Sequence, residues 1–434
     1  MMANYKVPSK GGQKIKFPHS GVCFHPTTPT MGSEEGQMLP VAAPPLDDEN
    51  LLSEILLRLP PQPSSLPCAS TICKRWRSLV SDRGFIRRFR LHHRGNPPLL
   101  GLFRERAGSI HLQPTMEPPN RVPHGHFSSP INDSDGSFKL VGCRHGLVLI
   151  FDYSRDQILV WDPVTGEQHR FAPPPEFGKL GNPIDGTVIR AAGDAHHFQV
   201  VLVVYEPEQN PRAAIFFYSS ENAVWNILIS TPVPGDALDY AVMPPVLVGD
   251  SLYWMFHGNS SAILEVNLDR QRVAVTPVPM DMFAEGPYCD HLMVMRAEGG
   301  LGILSLSDYT IQLWKRNTNC ASTAPWLLRR NIDLDTLLHL NSQQNISRYI
   351  MVIAYAEENN VAFLRTCSGI FMVQLESLQF RKIIEDIPRV IICYPFESVY
   401  AAGNSMSSIC HYNNTTLILD SWLMECGSYP FMLS

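Results

Sequence analysis

The chain is poor in charged residues: Asp, Glu, Lys and Arg make up 18% of its 434 residues, against about 25% in average globular proteins. Acidic residues slightly outnumber basic ones, and the formal net charge is −6 at pH 7. This balance excludes a general attraction to nucleic acid or to an anionic membrane surface. We therefore expect neither nucleic acid nor a membrane as a partner, and any contact with an acidic molecule has to be local.

Long apolar stretches are also missing. The strongest apolar run, Val200–Tyr205, has the length of a β-strand, whereas a membrane-spanning helix needs about 20 such residues. The N-terminal residues lack the apolar core of a secretory signal peptide, and the ten cysteines contain no C-x-x-C pair. Scattered thiols of this kind are typical of a reducing compartment, so we expect the protein in the cytoplasm, the nucleus or both.

Familiar catalytic and phosphate-binding motifs are absent too. The chain has no G-x-S-x-G elbow, no H-E-x-x-H pair, no Walker loop and no G-x-G-x-x-G turn. Neighbouring histidines such as His92 and His93 lack the Cys or carboxylate spacing that would complete a tetrahedral metal site. These absences predict no catalytic residues, no metal site and no cofactor.

Turn-forming residues, by contrast, are abundant. The chain has 36 prolines and 28 glycines, which favour short strands and turns over long helices. Hydrophobic residues make up 44% of the chain, enough for a sizeable core. Residues 1–45 combine Gly, Pro, Ser and Thr without an apolar period, and we predict that they form a disordered leader.

From residue 46 onward the pattern becomes helical. Asp47 or Asp48 is suited to cap the start of a helix, and Pro60 with Pro61 ends it. Between these limits, apolar residues recur at i, i+3, i+4 and i+7 and form one helix face. These residues are Leu52, Ile55, Leu56 and Leu59.

Two more short helices are predicted to follow, one starting at Ser64 or Ser65 and one around Trp76. About 45 residues with three or four short helices cannot bury their apolar surface alone. This helical module therefore needs a partner protein or the following domain to complete its core.

The order and spacing of these residues resemble the F-box. Its linked motifs occur here in register as LDDENLLSEILLRLP, SSLPCASTICKRWRSLV and FIRRF, although Asp47 stands where the family usually has proline. The resemblance implies an F-box helical module over residues 46–93 that docks a Skp-type adaptor and, through it, a cullin. It also implies that a set of apolar residues forms the adaptor-binding surface and part of the module's core. These residues are Leu46, Leu52, Ile55, Leu56, Leu59, Ile72 and Trp76.

Residues 98–423 are predicted to be β-rich, because short apolar runs alternate with turn residues. A motif of strand, turn, strand, polar turn and strand recurs, as in HGLVLIFDYSRDQILVWDPVTGEQHRFAPP. The middle strands of five copies are spaced by about 48 to 58 residues and are centred on Leu159, Phe216, Leu264, Leu313 and Phe371. This period is close to the kelch period of about 50 and predicts a kelch-like β-propeller of about six blades.

The repeat region, and VWDPVTGE above all, resembles the β-propeller domains that follow the F-box in plant F-box proteins. Five copies leave the sixth blade to be assembled from both ends of the domain. We expect Leu99–Phe103 to share a blade with a strand near Thr416–Leu419, because an open ring would leave two unpaired sheet edges. The predicted fold class is mainly β, with a small all-α F-box module followed by the propeller.

The two resemblances together imply a substrate-recognition subunit of an SCF (Skp–cullin–F-box) E3 ubiquitin ligase. Such a subunit acts in ubiquitin-dependent protein degradation as a non-catalytic adaptor. The propeller would bind an unknown target protein, for which irregular connections such as Pro173–Asp185 are candidates. The alternatives are a non-degradative interaction scaffold with an F-box and an enzyme on a propeller.

One segment combines several basic residues. Lys74–Arg94 contains eight Lys or Arg residues and a single acidic residue, Asp82. We interpret the segment as solvated helix faces and contacts to the linker. A local site for an acidic partner or for nucleic acid is the alternative interpretation.

Overall fold

The computed structural model describes residues 48–106, 108–123, 125–131, 137–174, 184–190, 197–206, 211–233, 243–256, 261–278, 292–307, 309–317, 326–339, 350–385 and 393–401. The chain divides into two units, Met1–Asp48 and Glu49–Ser434. All helices and strands named below belong to the second unit. The predicted leader, the domain boundary at residue 423 and most of the connection Pro173–Asp185 lie outside the described residues.

Four helices open the second unit. They are α1 Glu49–Leu57, α2 Ser65–Ile72, α3 Lys74–Ser81 and α4 Arg83–His92. As predicted, α2 begins at Ser65, and Pro67 lies in its first turn, where a missing N–H costs no helical hydrogen bond. The start of α4 is capped by Asp82, whose Oδ2 accepts the backbone N–H of Phe85 at 2.8 Å. A fifth helix, α5 Leu334–Leu338, lies much later in the chain.

The described strands form six antiparallel sheets. One sheet has the order β2-β1-β23, with β1 Leu99–Arg106, β2 Ser109–Pro114 and β23 Tyr394–Glu397. Each of the other five contains four strands, and its strands neighbour one another in chain order. The second sheet contains β3 Phe138–Arg144, β4 Leu147–Asp152, β5 Gln157–Trp161 and β6 Gln168–Phe171. The third contains β7 Ile184–Arg190, β8 Phe198–Glu206, β9 Arg212–Ser219 and β10 Val224–Pro232.

The remaining three sheets follow the same plan. The fourth contains β11 Val246–Val248, β12 Ser251–Phe256, β13 Ala262–Asn267 and β14 Arg272–Pro277. The fifth contains β15 Leu292–Ala297, β16 Gly300–Ser307, β17 Thr310–Arg316 and β18 Trp326–Asp333. The sixth contains β19 Met351–Ala356, β20 Val361–Thr366, β21 Gly369–Gln374 and β22 Phe380–Ile384.

Each sequence repeat corresponds to one four-stranded sheet. The five residues that marked the repeats all lie in third strands, namely β5, β9, β13, β17 and β21. The cores lie between neighbouring sheets, since one hydrophobic cluster joins side chains of β3, β4 and β5 to side chains of β8 and β9. The sheets are therefore the blades of a six-bladed propeller, and the prediction of a mainly β fold after a helical module is confirmed.

The first blade includes a strand from a late part of the described chain. β1 pairs with β2 along one edge and with β23 along the other, so both of its edges are occupied. The strand near Thr416–Leu419 that was expected to share this blade lies outside the described residues, so its place there stays a prediction. β23 contacts β3 and β19, the first strands of the two neighbouring blades. The N-terminal strand β1 and the late strand β23 therefore share one blade.

Gly142 allows the first strands of two adjacent blades to approach closely, and Gly186 allows the first two strands of one blade to do so. A Cβ added to Gly142 of β3 would lie 2.9 Å from the carbonyl oxygen of Gly186 on β7. A Cβ added to Gly186 would lie 2.7 Å from the carbonyl oxygen of Val201. Larger side chains at either position would push backbone atoms apart near the propeller axis.

The helices and the propeller share one hydrophobic core. Val399 and Ala401, which follow β23, are buried in the same cluster as the apolar faces of the helices. Nη2 of Arg90 on α4 also donates a hydrogen bond to the carbonyl oxygen of Ala401 at 3.0 Å. The sequence predicted that this module needs a partner or the next domain, and the next domain does contribute to its core.

Candidate functional site

Four of the predicted adaptor-binding residues belong to the core of the helical module. Leu52 and Leu56 are 0% exposed. Leu59 and Trp76 are half-buried and pack against the same cluster. These four side chains therefore stabilise the helices themselves, and Leu52 and Leu56 have no surface left to offer a partner.

Two other predicted residues are exposed. Ile55 on α1 is 38% exposed, and Ile72 at the end of α2 is 55% exposed. Leu51, which is not among the predicted adaptor-binding residues, is 42% exposed and precedes Ile55 by four residues, so both lie on one face of α1. Leu51 was not predicted because it does not belong to the i, i+3, i+4, i+7 pattern that begins at Leu52. Leu46 lies outside the described residues.

Helix geometry separates Arg88 from four other arginines of the basic segment. Arg88 lies against α1, where Nη1 donates to Oγ of Ser53 at 3.1 Å and Nη2 donates to Oε1 of Glu54 at 2.6 Å. The other four line a cavity beside α4 and are Arg83, Arg87, Arg90 and Arg94. Arg83 and Arg87 are exposed, as the interpretation as solvated helix faces predicts, and they also line this cavity.

This cavity, with a volume of about 1110 Å³, lies between α4 and the ends of the first strands of the blades. Its wall includes Arg144 at the end of β3, Arg190 at the end of β7 and Glu397 at the end of β23. Further inward it reaches Met293 on β15. We call it the junction cavity, because the helical module and the propeller both contribute to its wall.

Arg144 and Glu357 form an ion pair in this wall. Nη1 of Arg144 lies 2.6 Å from Oε1 of Glu357, and the two side chains are 6% and 9% exposed. Arg144 also donates through Nε to Oγ1 of Thr187 at 3.2 Å and through Nη2 to the carbonyl oxygen of Pro245. Oε2 of Glu357 accepts the backbone N–H of Leu247 at 3.1 Å. The pair therefore connects the first strands of four blades, β3, β7, β11 and β19.

The other two blades join the same network. Arg296 of β15 donates through Nη1 to Oε2 of Glu358 at 2.8 Å. Oε2 of Glu397, on β23, accepts the N–H of Glu358 at 3.3 Å, and its Oε1 accepts the N–H of Asn359 at 2.9 Å. Burial, together with the nearby Glu357 carboxylate, raises the pKa of Glu397 to about 7. The first strands of five blades, together with β23 of the remaining blade, thus contribute to one polar network at the mouth of the propeller.

His145 occupies the hairpin turn between β3 and β4. Its Nδ1 accepts the N–H of Arg190 at 3.2 Å, and Nη2 of Arg190 donates to Oδ2 of Asp162 at 2.6 Å. Burial and neighbouring arginines, Arg144 foremost, lower the pKa of His145 to about 3. The imidazole is therefore neutral, and because Nδ1 accepts, Nε2 carries the proton.

Asp162 also begins the turn that the sequence predicted within VWDPVTGE. Its Oδ1 accepts the backbone N–H of Val164 at 2.9 Å and of Thr165 at 3.1 Å, and the turn connects β5 to β6. The sequence did not indicate that the other carboxylate oxygen faces Arg190, because that arginine belongs to the next blade.

Other chemistry is sparse in the part of the chain that the structure describes. No three His, Cys, Asp or Glu side chains there come close enough together to hold a metal ion. No described helix is long and apolar enough to cross a membrane. Burial raises the pKa of the Cys393 thiol to about 11 and that of Cys143 still further, so both thiols stay protonated and are poor nucleophiles.

Solved structures resemble the chain only weakly. A nidogen/laminin complex aligns with a TM-score of 0.36 and 12% identity, over 65% of this chain and 91% of that chain. A complex of the fission yeast SREBP–SCAP binding domains aligns with a TM-score of 0.31 and 9% identity, over 58% and 62% of the two chains. A luciferin-regenerating enzyme aligns with a TM-score of 0.32 and 9% identity, over 58% and 77%. Similarities this weak carry no argument about function.

Sequence families give a stronger result. No curated protein matches the sequence. The F-box domain family matches residues 46–88, which include α1, α2, α3 and the first part of α4. The family described as F-box protein AT5G49610-like, beta-propeller, matches residues 139–401, more than half of the chain. The chain therefore belongs to the family of F-box proteins with an AT5G49610-like β-propeller.

Proposed function

We propose that this F-box protein is the substrate-recognition subunit of an SCF-type E3 ubiquitin ligase. One observation carries the proposal: the helices that match the F-box bury Leu52 and Leu56 but expose the large apolar side chains of Leu51, Ile55 and Ile72. F-box domains generally bind Skp adaptors, and exposed apolar anchors on short helices suit a hydrophobic groove of a partner. The proposed site of action is the cytoplasm, the nucleus or both.

The propeller is the proposed target-binding domain. The shared core with Val399 and Ala401 holds the helices against the propeller. A target bound to the propeller would therefore keep a defined position relative to the adaptor, and its effective concentration near the ubiquitin-loaded enzyme would rise. In this role the protein acts as a binding subunit and leaves bond chemistry to the other subunits.

A pair of isoleucine substitutions tests the adaptor surface. Ile55→Asp introduces a charge into the proposed apolar contact, and burying that charge without a partner costs several kcal/mol. The matched control is Ile229→Asp, because Ile229 on β10 of the propeller is 41% exposed, close to the 38% of Ile55. We expect Ile55→Asp to abolish coprecipitation of the Skp adaptor, with unchanged thermal stability, whereas Ile229→Asp retains it.

The same coprecipitation separates degradation from scaffolding. Recovery of cullin together with the adaptor, and accumulation of captured partners after proteasome inhibition, would support a ligase subunit. Adaptor capture without cullin would instead support a non-degradative scaffold. Equal adaptor capture by wild type and the Ile55→Asp variant would contradict the proposed adaptor surface.

A further inference from the structure

The junction cavity has cationic groups that its own acids do not neutralise. Four of its arginines come from one stretch of chain: Arg83, Arg87 and Arg90 follow one another on α4, and Arg94, which interacts with other residues, lies just beyond its end. The spacing of four and then three residues places the first three on one helix face. Arg83 and Arg87 are exposed and form no ion pair with any described residue.

The acids of the cavity are occupied elsewhere. Three of them pair with arginines of the propeller, Asp162 with Arg190 at 2.6 Å, Glu357 with Arg144 at 2.6 Å and Glu358 with Arg296 at 2.8 Å. Glu397 accepts backbone N–H groups, and its raised pKa of about 7 leaves it partly protonated at neutral pH. Glu167 is exposed. Arg83 and Arg87 therefore keep their charge free for a ligand.

Arg90 adds a buried donor without an acceptor. One of its terminal nitrogens donates to the carbonyl oxygen of Ala401, but Nε is buried and has no partner among the described residues. A buried N–H that finds no acceptor is costly. An acceptor oxygen supplied by a ligand in the cavity would remove that cost. His145, another residue of the wall, holds its remaining proton on Nε2 and is a further donor.

We propose that the junction cavity binds a phosphate-bearing ligand whose phosphate lies against the arginines of α4. Guanidinium groups bind phosphate oxygens with two parallel hydrogen bonds, and a phosphate carries enough charge to engage more than one arginine. A volume of about 1110 Å³ exceeds what a single phosphate needs, so the ligand has a larger body. That body would contact the apolar wall, which includes Met243, Pro245 and Met293. The site does not depend on the proposed ligase role.

Calorimetric titration of the full-length protein with pyrophosphate tests the site, at constant ionic strength set by chloride. We expect saturable binding with one site per chain. The double variant Arg83→Gln/Arg87→Gln should weaken it by at least about tenfold. The matched control is Arg270→Gln/Arg272→Gln, which removes the same charge at two exposed positions away from the cavity. The control should keep its affinity within about twofold.

Arg90→Lys provides a second, more conservative test. Lysine keeps the positive charge but lacks the guanidinium fork, so pyrophosphate should bind about tenfold more weakly while the melting temperature without ligand changes little. An alanine peptide with one phosphoserine distinguishes the sources of the phosphate. Tighter binding of this peptide than of pyrophosphate assigns the site to a phosphorylated chain, and weaker binding assigns it to a small molecule. The absence of saturable pyrophosphate binding up to about 1 mM, or equal losses in the control variant, overturns the proposal.

Discussion

Arg144 and Glu357 lie 213 residues apart in the chain, yet Nη1 of one and Oε1 of the other meet at 2.6 Å. The first residue ends β3 and the second follows β19, so the pair joins two blades that are far apart in sequence. Both side chains are almost fully buried. A buried ion pair is expensive to desolvate, and the additional hydrogen bonds to Thr187, Pro245 and Leu247 offset that cost.

Substitution of Arg144 by Met should destabilise the protein strongly. Glu357 would then stay buried with Arg296, at 3.7 Å, as its only cationic partner among the described residues. Removal of one partner of a buried pair costs about 3–5 kcal/mol. Urea unfolding monitored by tryptophan fluorescence measures the change in the free energy of unfolding. The control is Arg121→Met, which removes a pair with Glu117 whose side chains are 46% and 59% exposed and which should cost at most about 1 kcal/mol. Equal losses in the free energy of unfolding for the two substitutions would show that the pair of Arg144 and Glu357 does not stabilise the contact between the blades.

Replacement of His145 by Asn should change the pH dependence of stability. In the folded protein the pKa of His145 is lowered to about 3, so between pH 6.5 and 3 the unfolded chain binds a proton that the folded chain does not. The wild type therefore loses stability as the pH falls through this range, by about 1.4 kcal/mol per pH unit. The variant lacks this loss. Between pH 7 and pH 5, the free energy of unfolding of the variant should therefore rise by about 2 kcal/mol relative to that of wild type.

Asparagine suits this position for two structural reasons. His145 has a φ of 51° and precedes Gly146 with a φ of 74°, and Asn-Gly is a favoured pair in a two-residue hairpin turn of this kind. The amide oxygen can also accept the N–H of Arg190 in place of Nδ1. Unfolding curves at pH 5, 6 and 7 measure the slope, and parallel slopes for both proteins would contradict the assignment to His145.

Leu51 should contribute to adaptor binding as much as Ile55 does. It is 42% exposed on the same face of α1, so Leu51→Asp places a charge in the contact without disturbing the core. We expect the affinity for the Skp adaptor to fall by more than about tenfold while the melting temperature stays constant. Leu56→Asp, at a fully buried position, should instead unfold the helices. Surface plasmon resonance together with circular dichroism separates these outcomes, and unchanged affinity of the Leu51 variant would exclude this face of α1.

Val399 should couple the stability of the helices to that of the propeller. It is 6% exposed and packs in the helical core, so Val399→Ala leaves a cavity that costs about 1–3 kcal/mol. Limited proteolysis should then cut more readily between His93 and Pro98, where α4 is linked to β1. Val224→Ala is the control, because Val224 is 49% exposed and its loss should cost less than about 0.5 kcal/mol. Unchanged proteolysis of the Val399 variant would mean that the helices are held to the propeller by other contacts.

Local patterns in the sequence were sufficient for much of the fold. The end of α1 before Pro60 and the start of α2 at Ser65 followed from the local sequence, because caps and helix breakers act within one turn. The repeat of about 53 residues predicted five equivalent strands, and the residues on which they were centred, such as Leu159, all lie in the third strand of a blade. Five of the six blades consist of consecutive strands, so the pattern of each lies in one continuous stretch of chain.

Other features depended on which residues meet when the ring closes. Leu52 and Ile55 lie in the same apolar period, and only the packing against Val399 and Phe89 makes one a core residue and leaves the other exposed. The choice of Tyr394–Glu397 as the closing strand and the pairing of Arg144 with Glu357 likewise have no local signal. These contacts join distant parts of the chain, and their free energy depends on burial and geometry that exist only after six blades and four helices have come together.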